Sequence, residues 1–210
     1  MFLLVSPEPV TCREIPAGYG TIPNPMSTAA DLLAALDASS AEAVRLAEPL
    51  SEEQFRWQPS ASAWSVGHCL AHLAVGNHLY VEAMRSAAAN GRPRRDERPL
   101  EPGFAGRWFI REMEPPPKRR LPAPPRIVPH LLRPKTEVMA EFLTTHSALR
   151  DFAAASESID VNRTRFVNPF LKMIRFSLAT GLLVSAAHER RHLWQANNVV
   201  RMAGFPRATP

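Results

Sequence analysis

The sequence has little cysteine, no long hydrophobic run and no strong alternation of apolar and polar residues that would predict a sheet. Cys12 and Cys69 form neither a disulfide framework nor a C-x-x-C motif, which favours a reducing compartment. The opening run Met1-Phe-Leu-Leu-Val5 is too short for a signal peptide or a membrane span. We therefore expect a cytoplasmic protein that is not embedded in a membrane.

The net charge of +5 is concentrated in one segment. Residues 91–135 contain 12 Lys/Arg and 5 Asp/Glu, a net +7, whereas the other residues contain 13 and 15, a net −2. The same segment holds 11 of the 21 prolines, which oppose a regular recognition helix, and no groove-reading motif accompanies the charge. We expect a solvated basic loop and no nucleic-acid binding, with an anionic substrate near the loop as an alternative.

Four segments show the three- and four-residue apolar spacing of amphipathic helices. They begin near Ser27 or Thr28, Ser65, Pro134 and Ile174, and they end near Pro49, Ala89, Ala155 and Met202. The Ser51-Glu-Glu-Gln54 sequence indicates one further capped turn. Residues 1–26 are proline-rich without a hydrophobic period, which predicts an extended or disordered leader.

A proline-rich connection over residues 91–133 separates the second and third of these helices. Its length of about 40 residues far exceeds the usual few, which is typical of a long crossover. Prolines at this density favour irregular chain. Phe104, Trp108, Phe109 and Ile110 are apolar enough to pack against the helices. An all-α protein with a long Pro-rich crossover is the expected fold class.

The stretch His188-Glu-Arg-Arg-His192 carries the most specific chemistry. Two histidines four residues apart lie on one helical face and can hold a divalent cation. The same letters spell H-E-x-x-H, in which a zinc protease uses the glutamate as general base. The residues after His192 include no His, Asp or Glu for a third ligand, so that ligand must come from upstream. Glu189 would then be a surface carboxylate or one that supports a ligand.

Four other residues, on the second and third helices, have both a structural and a functional interpretation. His68 and His72 form a second H-x-x-x-H pair on the second helix. His146 lies on the apolar stripe of the third helix without a partner one turn away, which favours a hydrogen-bonded core histidine over a ligand. Cys69 could supplement a metal site, but a small buried side chain at a helix interface is the preferred interpretation.

Two separated blocks resemble conserved blocks of the DinB-like (DinB/YfiT-like) superfamily of metal-binding four-helix bundles. The first is Trp57-Gln-Pro-Ser60 followed by Ala63-Trp-Ser-Val-Gly-His-Cys-Leu-Ala-His72-Leu73, and the second is His188-Glu-Arg-Arg-His-Leu-Trp-Gln195. The resemblance implies a bundle over residues 27–205 with the crossover at 91–133. It also implies that His72, His188 and His192 bind the metal, whereas His68 occupies a position where no ligand is required.

The resemblance further implies a function. Three imidazoles around one divalent ion leave a position open, as in a catalytic site, with zinc preferred and nickel, iron or manganese as alternatives. Characterised relatives include transferases and isomerases that use low-molecular-weight thiols. The expectation is a metal-dependent S-transferase or isomerase acting on a small electrophile, in a homodimer. A noncatalytic stress-response or ligand-binding module that contains the metal is the alternative. No catalytic acid or base can be named.

Overall fold

The computed structural model describes residues 28–95, 98–117, 123–129 and 133–207. The expected leader and the Lys118-Arg-Arg120 run lie outside the described residues. Within them the chain is mostly helical. The α-helices are α1 Ala29–Ala47, α2 Glu52–Arg56, α3 Val66–Ala88, α4 Phe104–Met113, α5 Lys135–Ala155 and α6 Leu178–Val200. Short 3-10 turns cover Pro125–Ile127 and Ser156–Ser158, and two strands, β1 Arg165–Val167 and β2 Arg175–Ser177, form an antiparallel hairpin.

Capping residues explain where the first three helices begin. Thr28, Ser51 and Ser65 each accept a hydrogen bond from the third backbone amide of the following helix, and the side chain three residues later returns the contact. At α3 that returning side chain is His68, whose Nδ1 lies 2.8 Å from the Ser65 hydroxyl. The helix starts predicted near Thr28, Ser51 and Ser65 are confirmed.

The four long helices pack together around an apolar interior. Helix α3 packs against α5 and α6, and α1 packs against the same two helices. The interior consists of two apolar clusters. The first, cluster A, contains Leu36, Tyr80, Leu149 and Ala186, and the second, cluster B, contains Ala43, Ala74, Phe142 and Leu193. The all-α class predicted from the apolar spacing is thus confirmed, apart from the small hairpin.

The start predicted for the last helix is wrong by four residues. Residues 175–177 are strand, and α6 begins only at Leu178, with Ser177 as its N-cap. Phe166 and Phe176 pair across the hairpin and both point into the core, while Arg165 and Arg175 point outward. This two-residue alternation is too short to be distinguished from a helical pattern by periodicity alone.

The connection between α3 and α5 is more regular than its prolines suggested. Helix α4 occupies the stretch between Pro102 and Pro115, which contains no proline, and it packs against α6. Phe109 and Ile110 pack against cluster A as expected. The same expectation is wrong for Phe104, which is 84% exposed, and for Trp108, which is 43% exposed.

Candidate metal centre

The structure brings together the three histidines named from the sequence. His72 comes from the N-terminal third of α3, and His188 and His192 come from successive turns of α6. One ring nitrogen of each lies within 4.8 Å of the corresponding atom of the other two, and His72 Nε2 is 3.0 Å from His188 Nε2. Two nitrogens about 2.1 Å from one ion are themselves about 3.4 Å apart in a tetrahedral site. The spacing therefore suits ligands that converge on one ion.

Hydrogen bonds fix which nitrogen two of the three rings present, those of His72 and His192. His72 Nδ1 lies 2.7 Å from the carbonyl oxygen of Ile127, which can only accept, so the ring donates there and turns the Nε2 lone pair inward. His192 Nδ1 lies 3.2 Å from Gln195 Oε1 in the same way. Metal-bound histidines commonly donate their second N–H to such a group. Both contacts therefore fit a metal-binding role.

Aromatic packing and a glycine shape the space around the rings. Trp64 lies against the His192 ring at a centroid distance of 5.5 Å and against the His72 ring at 4.7 Å. A Cβ atom at Gly76 would come within 3.3 Å of His188 Cε1. The absence of a side chain at this position lets α3 and α6 approach closely beside the cluster.

The three rings are held in the form that can bind a cation. Burial lowers the pKa of His72, and it lowers the pKa of His188 and His192 well below the usual value. Neighbouring imidazoles and the Arg191 guanidinium lower the pKa of His188 and His192 further, because each disfavours a second positive charge nearby. Neutral imidazoles keep the lone pairs that metal ligands need.

Glu189 does not take part in this cluster. Its side chain is fully buried, and its Oε1 accepts hydrogen bonds from Asn77 Nδ2 at 2.7 Å and from His146 Nδ1 at 2.9 Å. The interpretation of Glu189 as a surface carboxylate is wrong, because α6 turns this residue toward α3 and α5. The contacts also give no support to a protease-type general base.

The connection between α3 and α5 closes one side of the site, which sequence reasoning missed. Ile127 supplies the carbonyl that binds His72. Arg190 forms an ion pair with Glu114, and Arg191 Nη1 donates to the Glu112 carbonyl oxygen at 2.8 Å. The two arginines between the histidines therefore attach the end of α4 to α6. The only sequence signal for these contacts was the pair of arginines inside the histidine motif. Their partners lie about 80 residues earlier in the chain, so no local pattern predicts them.

The other candidates lie outside the three-histidine cluster. The His68 ring belongs to the cap of α3, which agrees with its exclusion as a ligand. Cys69 is fully buried in cluster B, and burial raises the pKa of its thiol, as expected of a structural cysteine. His146 is buried and hydrogen-bonded through Nδ1, as predicted, but its Nε2 has no partner among the described residues.

Comparison of the sequence with models of known protein families identifies the family of this chain. The model of the DinB superfamily matches residues 27–196, which include both histidine blocks. The chain belongs to the DinB superfamily. No curated protein and no solved structure gives a significant match. Among the described residues of this DinB-superfamily chain, no helix is long and apolar enough to cross a membrane.

Proposed function

We propose that this DinB-superfamily chain is a divalent-metal-dependent enzyme, a thiol-dependent S-transferase or isomerase that acts on a small electrophilic molecule. His72, His188 and His192 would hold the ion, with zinc preferred over nickel, iron and manganese. The observation that carries the proposal is the convergence of three histidine ring nitrogens, which lie within 4.8 Å of one another. A bound ion would supply Lewis acidity, which lowers the pKa of a thiol so that it can attack as a thiolate.

The protein's own residues would orient and shield this chemistry. The Ile127 carbonyl fixes the His72 ring, and Trp64 covers the His72 and His192 rings. The long helices would form the family's four-helix bundle over residues 27–205, with residues 91–133 as its crossover. No acid or base is assigned, since the fully buried Glu189 does not face the cluster.

Metal content and thiol transfer test this function together. The protein purified without chelator should contain one divalent ion per chain, and His192→Ala should lose it. Transfer of cysteine or glutathione to a chromogenic aryl halide should stop after chelation and return when the ion is restored. His78→Ala is the matched control, because His78 is an exposed histidine of α3 outside the cluster. The proposal would be ruled out if the purified wild-type protein contained no divalent ion and transferred no thiol after an ion was added.

A noncatalytic metal-containing stress-response or ligand-binding module is the second candidate. The observation that favours it is burial: His72 is 2% exposed and His192 is 8% exposed, beneath a connection anchored by Arg190 and Arg191. It predicts metal binding without turnover for any thiol and electrophile. A small molecule that raises the melting temperature without being consumed would support this alternative.

We also propose a homodimer in the cytoplasm, with no nucleic-acid partner. A second copy would cover exposed apolar side chains such as Phe104 and Met173, which are 84% and 98% exposed. Light scattering should give twice the 23.3 kDa of one chain. Phe104→Glu should reduce that mass if α4 lies in the interface. DNA affinity that falls steeply with salt would contradict the exclusion of nucleic acid.

A further inference from the structure

A layer of buried polar residues separates the two apolar clusters of the core. Each long helix contributes one member to this polar layer: Ser39, Asn77, His146 and Glu189, with exposures of 4%, 1%, 3% and 0%. On each of the four long helices, the core residues on one side of the layer member belong to cluster A and those on the other side belong to cluster B. The layer therefore marks the boundary between the two apolar clusters on all four long helices.

Glu189 is the centre of this layer. Its Oε1 accepts from Asn77 of α3 at 2.7 Å and from His146 of α5 at 2.9 Å. These two bonds join α6 to the adjacent α3 and, across the interior, to α5 at one level of the structure. Glu189 also directly follows His188, and adjacent residues of a helix point about 100° apart. The carboxylate thus faces the interior while the imidazole faces His72.

The geometry makes the three-histidine cluster sensitive to the rotation of α6. A turn of roughly 15° moves a ring nitrogen that lies about 7 Å from the helix axis by about 2 Å. Metal sites tolerate distance errors of only about 0.2 Å. Apolar side chains alone resist such a turn weakly, because apolar contacts are not directional. The two hydrogen bonds of Glu189 are directional, and they define one rotation.

Stability alone does not explain the polar layer. Glu189 Oε2, His146 Nε2 and Ser39 Oγ are buried and have no hydrogen-bond partner among the described residues. Unpartnered buried polar atoms are destabilising, and apolar replacements of such groups are often neutral or stabilising. Buried polar groups of this kind are known to specify the register of helices at a cost in stability.

We propose that Glu189, held by Asn77 and His146, is a positioning residue that sets the rotation of α6 and so aims His188 and His192 at His72. The inference rests on the proposed metal site, and it gives the H-E-x-x-H glutamate a role that differs from that of a general base. Asn77 and His146 act through Glu189 and touch neither the ion nor a substrate.

Three variants separate positioning from general stability. Glu189→Leu removes both hydrogen bonds at similar volume, and Glu189→Gln keeps an acceptor oxygen for both donors. Asn197→Leu is the matched control, because Asn197 is a buried α6 residue outside the layer that donates to Glu42 and to the Leu193 carbonyl. Cobalt(II) titration measures affinity, the melting temperature measures stability, and crystal structures of the metal-free proteins locate the rings.

Glu189→Leu should weaken cobalt binding about 10- to 100-fold and move His188 away from His72, while Glu189→Gln stays within about threefold of wild type. Asn197→Leu should lower the melting temperature and leave the affinity unchanged. Wild-type affinity and ring positions in Glu189→Leu would overturn the inference.

Two further outcomes remain decisive. If Glu189→Leu does not fold, His146→Leu removes one of the two bonds and should weaken binding several-fold, whereas unchanged affinity overturns the inference. If the wild-type protein binds no metal, the proposed function fails. The ring positions in the metal-free crystals then decide alone: a displaced His188 in Glu189→Leu supports positioning, and an unmoved one overturns it.

Discussion

The three-histidine cluster, in which His188 is only partly buried, and the fully buried polar layer both take consecutive residues from α6, but they satisfy their polar atoms differently. In the cluster, ring nitrogens converge on one point, and the second nitrogens of His72 and His192 are held from outside by Ile127 and Gln195. In the layer, Asn77 and His146 donate to one carboxylate oxygen. Convergent nitrogen lone pairs can bind a cation, whereas hydrogen bonds between side chains of different helices set the relative orientation of those helices. The comparison separates the residues that would bind metal from those that would aim them.

Removing a ring from the cluster should have the largest effect. His188→Ala leaves two of three nitrogens, and metal affinity should fall by more than about 100-fold, beyond the 10- to 100-fold typical of residues that only support a ligand. Isothermal titration with zinc measures it. The metal-free variant should fold, since His72 keeps its hydrogen bond to the Ile127 carbonyl oxygen when the neighbouring ring is removed. A fall of less than about threefold would show that His188 is not a ligand.

Acid should destabilise the metal-free cluster. The three histidines have a lowered pKa in the folded protein, so below about pH 6.5 the unfolded chain binds more protons and stability is lost as pH falls. The effect cannot exceed about 1.4 kcal/mol per pH unit for each histidine. We expect about 1–3 kcal/mol between pH 7 and pH 5.5 from urea unfolding, with little of it in a triple His→Gln control. An equal pH dependence of the unfolding free energy in both proteins would contradict the claim that the three rings are neutral in the folded protein.

Crowding His188 should have a smaller effect on the cluster without disturbing the layer. Gly76→Ala places a Cβ 3.3 Å from the His188 ring, so the ring must shift by a few tenths of an ångström. Metal affinity should fall several-fold, while the better helix propensity of alanine, worth up to about 1 kcal/mol, offsets the loss of stability. Gly103→Ala is the control, because a Cβ there meets nothing within 4 Å. Equal affinities for the two variants would show that Gly76 does not limit the site.

Loosening the connection should have the smallest effect. Arg190→Gln removes the ion pair with Glu114, whose two side chains are 21% and 23% exposed, and should cost no more than about 1 kcal/mol. Amide exchange in α4 should accelerate while that in α5 stays unchanged. The exposed Asp37 and Arg150 pair offers a control in Arg150→Gln, which should leave α4 untouched. Slow exchange of α4 in Arg190→Gln would show that other contacts hold the connection.

Much of the helical framework followed from local signals. The caps at Thr28, Ser51 and Ser65, which set the starts of α1, α2 and α3, depend on residues within a few positions of one another. Helix α4 was missed because it is short and lies between prolines. The hairpin was missed because its strands are short and the second strand was included in the apolar pattern of the last helix. The start expected at Ile174 failed for that reason.

The candidate site was predictable only in part. His188 and His192 follow from helical spacing, but His72 required a resemblance between two distant blocks, because spacing alone left His68 equally eligible. The contacts of Ile127 with His72 and of Asn77 and His146 with Glu189 join residues between 43 and 112 positions apart. Hydrophobic periodicity along the chain does not predict contacts between such distant residues. The polar layer could therefore be recognised only in the three-dimensional structure.

Anomalous X-ray scattering from crystals of the protein purified without chelator tests the central claim most directly. We predict one strong peak per chain, bonded to a ring nitrogen of each of His72, His188 and His192, with at least one further position available to water or a thiol. A peak at other residues, or none between these three rings after zinc is added, would contradict it.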